Sequence, residues 1–525
     1  RYTGTANENM KQESKLDHYD IYSDLEKTEY TVKTDTFILM DGNTQYIQEG
    51  FAEITPQLRN KLGRSLLNDE INGVYSSLTA AVSDLSARGL QGPVLFSMVD
   101  ALYNTETFPL VLNDINGSSA INTITIKPAA GVNAQIVMTT GTSIFRIYNS
   151  DFITIDGSNT VNGSTRNLSI ISNYSNVSNC IWIGSSGTTP VSNITIKNCN
   201  IKTGENSLGS SCIIVSDGLV AGNAGCFTDI NIFNNFIQKG RQGIYLNGGI
   251  LPQNGSNVFI YDNVINSTGA EATGYLGIYM QGVNYAVIRG NEVANLNDVS
   301  AEDDKAIWIA NGSRSVTAER NKIYNIGYSG SSGQGGHGIY ISSNHLDADV
   351  ILKNNLIYNI YGDGWNHNDA SYFLDNPAGI MLYSSSTQSG IRIYNNSINL
   401  YGNTLNSAFS ISSGIFVTSR TTVDIRNNSI TNNLGVISDS AYGSCAVYAQ
   451  TNSAQFLNID YNNYYVNPSG TGVKAIGKIS GTEFLTLPAW VLATGKDRSS
   501  LSYDPGYTSD VNLLPDVTGA NCWSL

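Results

Sequence analysis

Three of the chain's four histidines fall within 31 residues, at His337, His345 and His367, and two adjacent carboxylates, Asp303 and Asp304, precede them. Imidazoles and carboxyls are the groups best able to move protons near neutral pH. Asp303, Asp304, His337 and His367 are therefore the candidates for acid–base chemistry. Two carboxyls can protonate a leaving oxygen and activate a water, provided roughly 5 to 9.5 Å separates them. Asp298, Glu302, Asp303 and Asp304 also offer hard oxygens to Ca2+, the one cofactor left open. No calcium-loop spacing accompanies them, and a solvated acidic loop would read the same way. A second set is aromatic: Trp182, Tyr245, Tyr279, Trp308 and Tyr340, with Trp365 in a long insertion. Flat rings with polar tips suit stacking against the sugar rings of a long glycan. Same-face aromatic neighbours also stabilise sheets with no ligand present.

The elements that must position these residues follow from repeats. One phrase recurs as NITIKNCNI (193–201), DINIFNNFI (229–237), NVFIYDNVI (257–265), YAVIRGNEV (285–293), SVTAERNKI (315–323), DVILKNNLI (349–357), GIRIYNNSI (390–398), TVDIRNNSI (422–430) and FLNIDYNNY (456–464). Its seventh place is Cys199, then Asn235, Asn263, Asn291, Asn321, Asn355, Asn396, Asn428 and Asn462, at spacings of 28 to 41 residues. A second phrase alternates with it, from CIWI (180–183) through GIYL (243–246), GIYM (277–280), AIWI (306–309) and GIYI (338–341) to AVYA (446–449). Two strand phrases per period near 30 residues, with no helix between them, describe parallel strands coiled and stacked at about 4.8 Å. The places of Ile194, Ile230 and Val258, and of Ile196, Ile232 and Ile260, point inward and build a core that no single coil can bury. Asn at the seventh place suits a tight turn, where it tolerates a left-handed backbone, and a column of them can pair as an amide ladder. The predicted fold is all-β, a right-handed parallel β-helix (solenoid).

In the second phrase the middle residue points outward because its neighbours point in. In order it reads Trp182, Ile214, Tyr245, Tyr279, Trp308, Tyr340, Met381, Phe416, Tyr448. The ends of such a coil expose strand edges that need covering. Ser76 to Arg88 reads as a short capping helix, with Ser76 or Ser77 as its cap, Leu78, Ala81, Val82 and Leu85 on one face, and Gly89 closing it. Phe484 to Thr494 can cap the far end. The organisation is thus a charged N-terminal arm or small module (1–70), the capping helix and its lead-in (71–92), the β-helix (93–470) and a C-terminal cap and tail (471–525).

Composition agrees. Residues 1–70 carry 21 charges, 13 acidic and 8 basic, whereas the whole chain is only 14% charged, with a formal net charge of −14. Disorder is excluded by the low charge and the aromatic content, and nucleic acid by net acidity without a basic cluster. No apolar run is long enough for a membrane span. Of six cysteines, four crowd into residues 180–226, where one or two bridges can form in an oxidising compartment; otherwise they serve as small apolar fillers. The chain starts at Arg1 without a basic-then-apolar leader and reads as a mature or trimmed product.

The repeats resemble the pectate-lyase-like β-helix superfamily. The flanks YSSLTAAVSDLSARGLQGPVLF, ETFPLVLNDINGSSAINTITIKP and FITIDGS (within 75–157), and YNNYYV with LPAWVLATGKDRSSLSYDPGY (within 461–507), are similar to those of secreted β-helix repeat proteins of Bacteroidota. This resemblance implies a secreted or cell-surface location, with a cleaved leader. His337 in GGHGIYIS and the Asp pair in DDKAIWI, one coil earlier, resemble part of the polygalacturonase pattern. Its third carboxylate and its RIK are missing here, which removes partners that inverting hydrolysis needs. For a lyase, Arg289, Lys305, Arg320 and Lys353 are scattered base candidates without a motif.

Three readings follow. The first is a surface module that binds extracellular polysaccharide or surface glycan, adhesive or structural and without catalysis. The second is a polysaccharide hydrolase or lyase centred on residues 303–372. The third is a subunit of a filament or surface layer, self-assembling through the N-terminal arm.

Overall fold

The computed structural model describes residues 74–515 apart from 186, 207–208, 250–254, 297–301, 366–373, 406–409, 437–442 and 471. The charged arm, His367 and Asp298 lie outside the described residues. Within them the chain winds into a solenoid of three long sheets. The first sheet has 12 strands, from Val94–Met98 to Phe456–Asp460. The second has 12, from Leu102–Tyr103 to Asn463–Tyr465, and the third has 13, from Leu110–Asn113 to Thr482–Phe484. Each coil gives one strand to each sheet. All pairings in these sheets are parallel except the last, where Lys474–Ile479 turns back on Thr482–Phe484. The first repeat phrase forms the first sheet and continues into the second, and the second phrase forms the third.

Register stacks like on like. Ile196, Ile232, Ile260 and Ile288 are consecutive partners, followed by Ala318, Leu352 and Ile393, all fully buried. Burying one such side chain is worth roughly 1.5–3 kcal/mol, so the core grows in proportion to the number of coils.

The sharp turn between the first and second sheets carries the Asn column. Asn321 shows the unit. Its side-chain carbonyl accepts from the backbone N–H and the side-chain amide of Asn291, at 3.0 and 3.1 Å. Its own amide donates to the Ile288 carbonyl at 2.9 Å and to Asn355 Oδ1 at 3.0 Å. The ladder starts at the Cys199 N–H and runs from Asn235 to Asn462, whose N–H ends on Ser500 Oγ. One detail differs from the sequence expectation. The left-handed residue is the one before each ladder Asn: Asn198, Asn234, Asp262, Gly290, Arg320, Asn354, Asn395, Asn427 and Tyr461, with φ between 51° and 65°. Bending the chain just before the amide aims the Asn side chain along the column. The ladder Asn itself keeps an ordinary backbone.

A second turn explains the small residue that opens the GIY phrases. At Gly277 an added Cβ would lie 2.5 Å from the Ala306 carbonyl and 2.4 Å from Val293 Cγ1, so only the smallest side chains fit this bend. Both ends are covered. Helix α1 (Leu78–Arg88), capped by the Ser77 hydroxyl accepting from the Ala80 N–H, lays Leu78, Ala81, Val82 and Leu85 on the first coil. Helix α2 (Leu487–Thr494) inserts Trp490 against Phe456 and Phe484, its indole donating to Asp497 at 2.7 Å. Leu485, grouped with that cap by sequence, is exposed. The five described cysteines are free and buried, so the four between 180 and 226 act as apolar fillers. Burial pushes the Cys212 thiol up to about 12.

Asn321→Ala should lower stability by about 3 kcal/mol, since it orphans several buried backbone and amide groups at once. Denaturant unfolding of this variant, beside an exposed control such as Asn104→Ala, checks it. Equal midpoints would show that the ladder carries no weight.

Candidate functional site

The outward row of the third sheet follows the expected register: Trp182, Ile214, Tyr245, Tyr279, Trp308, Tyr340, Met381, Phe416 and Tyr448 are successive partners. Tyr245 and Tyr279 stack in parallel at 4.6 Å, Tyr279 meets Trp308 edge-on at 5.0 Å, and Trp308 meets Tyr340 at 5.1 Å. The row is mostly covered. Trp182, Tyr279 and Tyr340 expose 6%, 8% and 5%, and only Tyr245 and Trp308 are half-buried. The cover comes from Leu276, at the start of its strand, and Ala310 over Tyr279, and from Leu374, Ile411 and Val473 in flanking turns around Tyr340, Phe416 and Tyr448. Faces already packed on one another cannot stack on sugars, so most of this row is a second, smaller core.

Charge gathers at one place along it. The Lys305 ammonium sits 5.4 Å from the Trp308 ring centre and 5.5 Å from that of Tyr340. It donates to the Asp303 carbonyl at 2.9 Å and stands 3.8 Å from the Asp303 carboxylate. That carboxylate accepts from the Gly335 N–H at 3.0 Å and is hydrogen-bonded to the carboxyl of Asp375. His337 is the strand partner of Lys305; its Nε2 pairs with the Asn376 carbonyl at 3.2 Å and its ring lies 5.4 Å from that of Tyr340. The Trp308 indole donates to Ser342 Oγ at 2.8 Å. Asp303 and Asp375 lie in the turns that lead into the third sheet, whereas Lys305, Trp308, His337 and Tyr340 lie on its strands.

Burial controls the electrostatics. It raises the Asp375 carboxyl to about 7, helped by the neighbouring Asp303 charge and opposed by Lys305. Burial raises Asp303 too, against the pull of Lys305 and the Gly335 N–H. For His337, burial and then Lys305 hold the imidazole well below its usual range, so it is neutral at physiological pH. The resulting patch sets a carboxyl pair beside one engaged ammonium and two aromatic rings.

A family model described as a right handed beta helix region matches residues 188–398, which contain the patch. The solenoid is a right-handed parallel β-helix. The crystal structure of PfbA, a surface adhesin of Streptococcus pneumoniae, is similar at 14% identity over 77% of this chain and 90% of that one, with a TM-score of 0.29. An overlay at that score supports no inference about activity. No curated protein matches the chain.

The β-helix brings together Asp303, Lys305, Trp308, His337 and Tyr340, and separates other candidates from them. Asp304 is buried opposite Gly336, near Tyr361, and does not form the expected working pair with Asp303. Asp375 takes that place. Trp365 lies off the row, in a turn where its ring packs on Gly333. Trp182 is a packed ring under the Arg146 guanidinium at 4.6 Å. For Ca2+, Glu302 is turned to Arg241 at 2.6 Å and Asp303 to Lys305. Among the described residues no group of three or more His, Cys, Asp or Glu is placed to hold a metal ion. The sequence reading missed Asp375. The available signal was its position, just before a strand phrase, as Asp303 is before its own.

The raised Asp375 carboxyl carries a stability signature. Its unfolded value is about 3.9. Between there and about 7 the folded chain binds the extra proton, so this group's contribution to stability falls as pH rises through that window. Asp375→Asn, which cannot ionise, should therefore gain in melting temperature relative to the parent chain between pH 4 and pH 7. A difference that stays flat with pH would mean that Asp375 titrates as an ordinary carboxylate.

Proposed function

We propose that the chain is a secreted or cell-surface β-helix that binds an extracellular glycan without catalysis, through Asp303, Trp308 and Asp375, with Lys305 and the buried His337 and Tyr340 packed behind them. The observation that carries this reading is the carboxyl pair hydrogen-bonded beside an ammonium and the half-buried face of Trp308. Carboxyls that accept from sugar hydroxyls, next to one accessible ring, are the polar and apolar elements of a sugar site. Tyr245, one ring beyond Tyr279 on the same row, extends the accessible surface. The weakly charged body, rich in Asn, Ser, Thr and Gly, suits a protein that works outside the cell.

The contact between Asp303 and Asp375 supports binding over hydrolysis. Glycosidases hold two of them about 5 to 9.5 Å apart around the scissile bond. A directly hydrogen-bonded pair leaves no room for that bond. One observation favours catalysis all the same: Asp375 keeps its proton to about pH 7, as a general acid must. If the chain is a polysaccharide hydrolase or lyase, Asp375 is the acid.

Affinity electrophoresis against a glycan panel separates these readings. Trp308→Ala should weaken binding about tenfold, equivalent to about 1.4 kcal/mol, whereas Trp182→Ala should leave affinity unchanged in the folded fraction. Reducing-end and unsaturated-product assays on the same polymers should stay blank. Product released by the parent chain and lost in Asp375→Asn would instead establish the enzyme. Absence of any binding, or binding indifferent to Trp308→Ala, would remove the patch as a glycan site.

A further inference from the structure

Whatever sugar the patch takes must satisfy its charge. Three carboxyl groups, Glu302, Asp303 and Asp375, lie in the described turns beside it. The described cations next to them are Arg241 and Lys305. Arg241 is held by Glu302 at 2.6 Å and lies 4.6 Å from the Tyr275 ring centre. Lys305 is enclosed by Asp303, the Trp308 and Tyr340 rings and a backbone carbonyl, with only 12% of its side chain exposed. Residues 297–301 and 366–373, which adjoin these turns in sequence, contain Asp298, Asp369 and His367 but neither Lys nor Arg.

Among the described residues, an acidic sugar arriving here would meet no uncommitted guanidinium fork or ammonium. It would bring a like charge towards partly dehydrated carboxylates, where repulsion is least screened. Freeing Lys305 to meet it would strip Asp303 of its counter-charge, and losing one partner of a buried pair is costly. A neutral sugar meets the opposite situation. Its hydroxyls donate to the carboxylate oxygens of Asp303, its ring oxygens accept from the protonated carboxyl of Asp375, and its apolar face lies on Trp308.

We infer that the patch selects neutral glycans and excludes uronate-bearing or sulfated ones, by leaving every described cation beside it already paired. This inference rests on the glycan reading above and adds the class of sugar.

Matched polymers that differ in charge test it: polygalacturonate against its methyl ester, and a sulfated galactan against the desulfated chain, each at low and moderate salt. The expected result is at least tenfold tighter retention of the neutral member, with the gap narrowing as salt rises. Asp303→Asn combined with Asp375→Asn should shrink the gap, whereas Asp375→Asn alone, which removes no charge below about pH 7, should leave it in place there. Tighter binding of the acidic members, sensitive to Trp308→Ala, would overturn the selectivity while keeping the glycan site. Binding of neither member in either pair would overturn both.

Discussion

A solenoid of this kind depends on one local difficulty: the tight turn between its first and second sheets leaves backbone groups that no neighbouring strand can pair. Buried amide and carbonyl groups without partners each cost on the order of 1–3 kcal/mol, and the turn recurs in every coil. The Asn column resolves this by lending each coil a side-chain amide that serves the coil before it and is served by the coil after it. Because each rung is completed only by its neighbours, the turn is stable only inside a stack. The same holds for the isoleucine rows beneath it. Ends are consequently the weak points, and α1 and α2 close them with Leu85 and Trp490, both fully buried.

Once turn and core are secured by inward groups, the outer faces are free to vary, and they do so differently along the coil. Most of the aromatic row on the third sheet is roofed by its flanking turns. At Asp303, Lys305 and Asp375 those turns bring charge onto the row instead. A carboxyl pair and an ammonium held against two rings join neighbouring coils only locally, whereas the ladder and core beneath them run on from coil to coil without a break. That contrast between uniform scaffold and local exception is the physical reason to place function there.

Much of the fold could be read directly from residue order. Parallel strands in register repeat the same side chain at the same place, so phrases such as DINIFNNFI and NVFIYDNVI carry their three-dimensional neighbours within the text. The outward direction of Tyr245 and Trp308 was legible for the same reason. Exposure was not. Whether Tyr279 or Tyr340 is open depends on Leu276 and Leu374, which lie outside the recurring phrase, Leu276 at the start of its strand and Leu374 in an irregular turn. The partner of Asp303 was hidden in the same way: Asp304 is adjacent in sequence but alternates to the other side of the strand, while Asp375 arrives from a turn two strands further along the third sheet. Repeats report what is periodic, and the site is built from what departs from the period.

The most direct measurement of this account is hydrogen exchange of the intact chain with and without a neutral oligosaccharide that it binds. Added protection should be confined to the segments carrying Asp303 to Trp308, Gly335 to Tyr340 and Leu374 to Ala378, with the coils around Trp182 and Phe416 unchanged. Protection spread along the whole aromatic row, or located on another sheet, would contradict it.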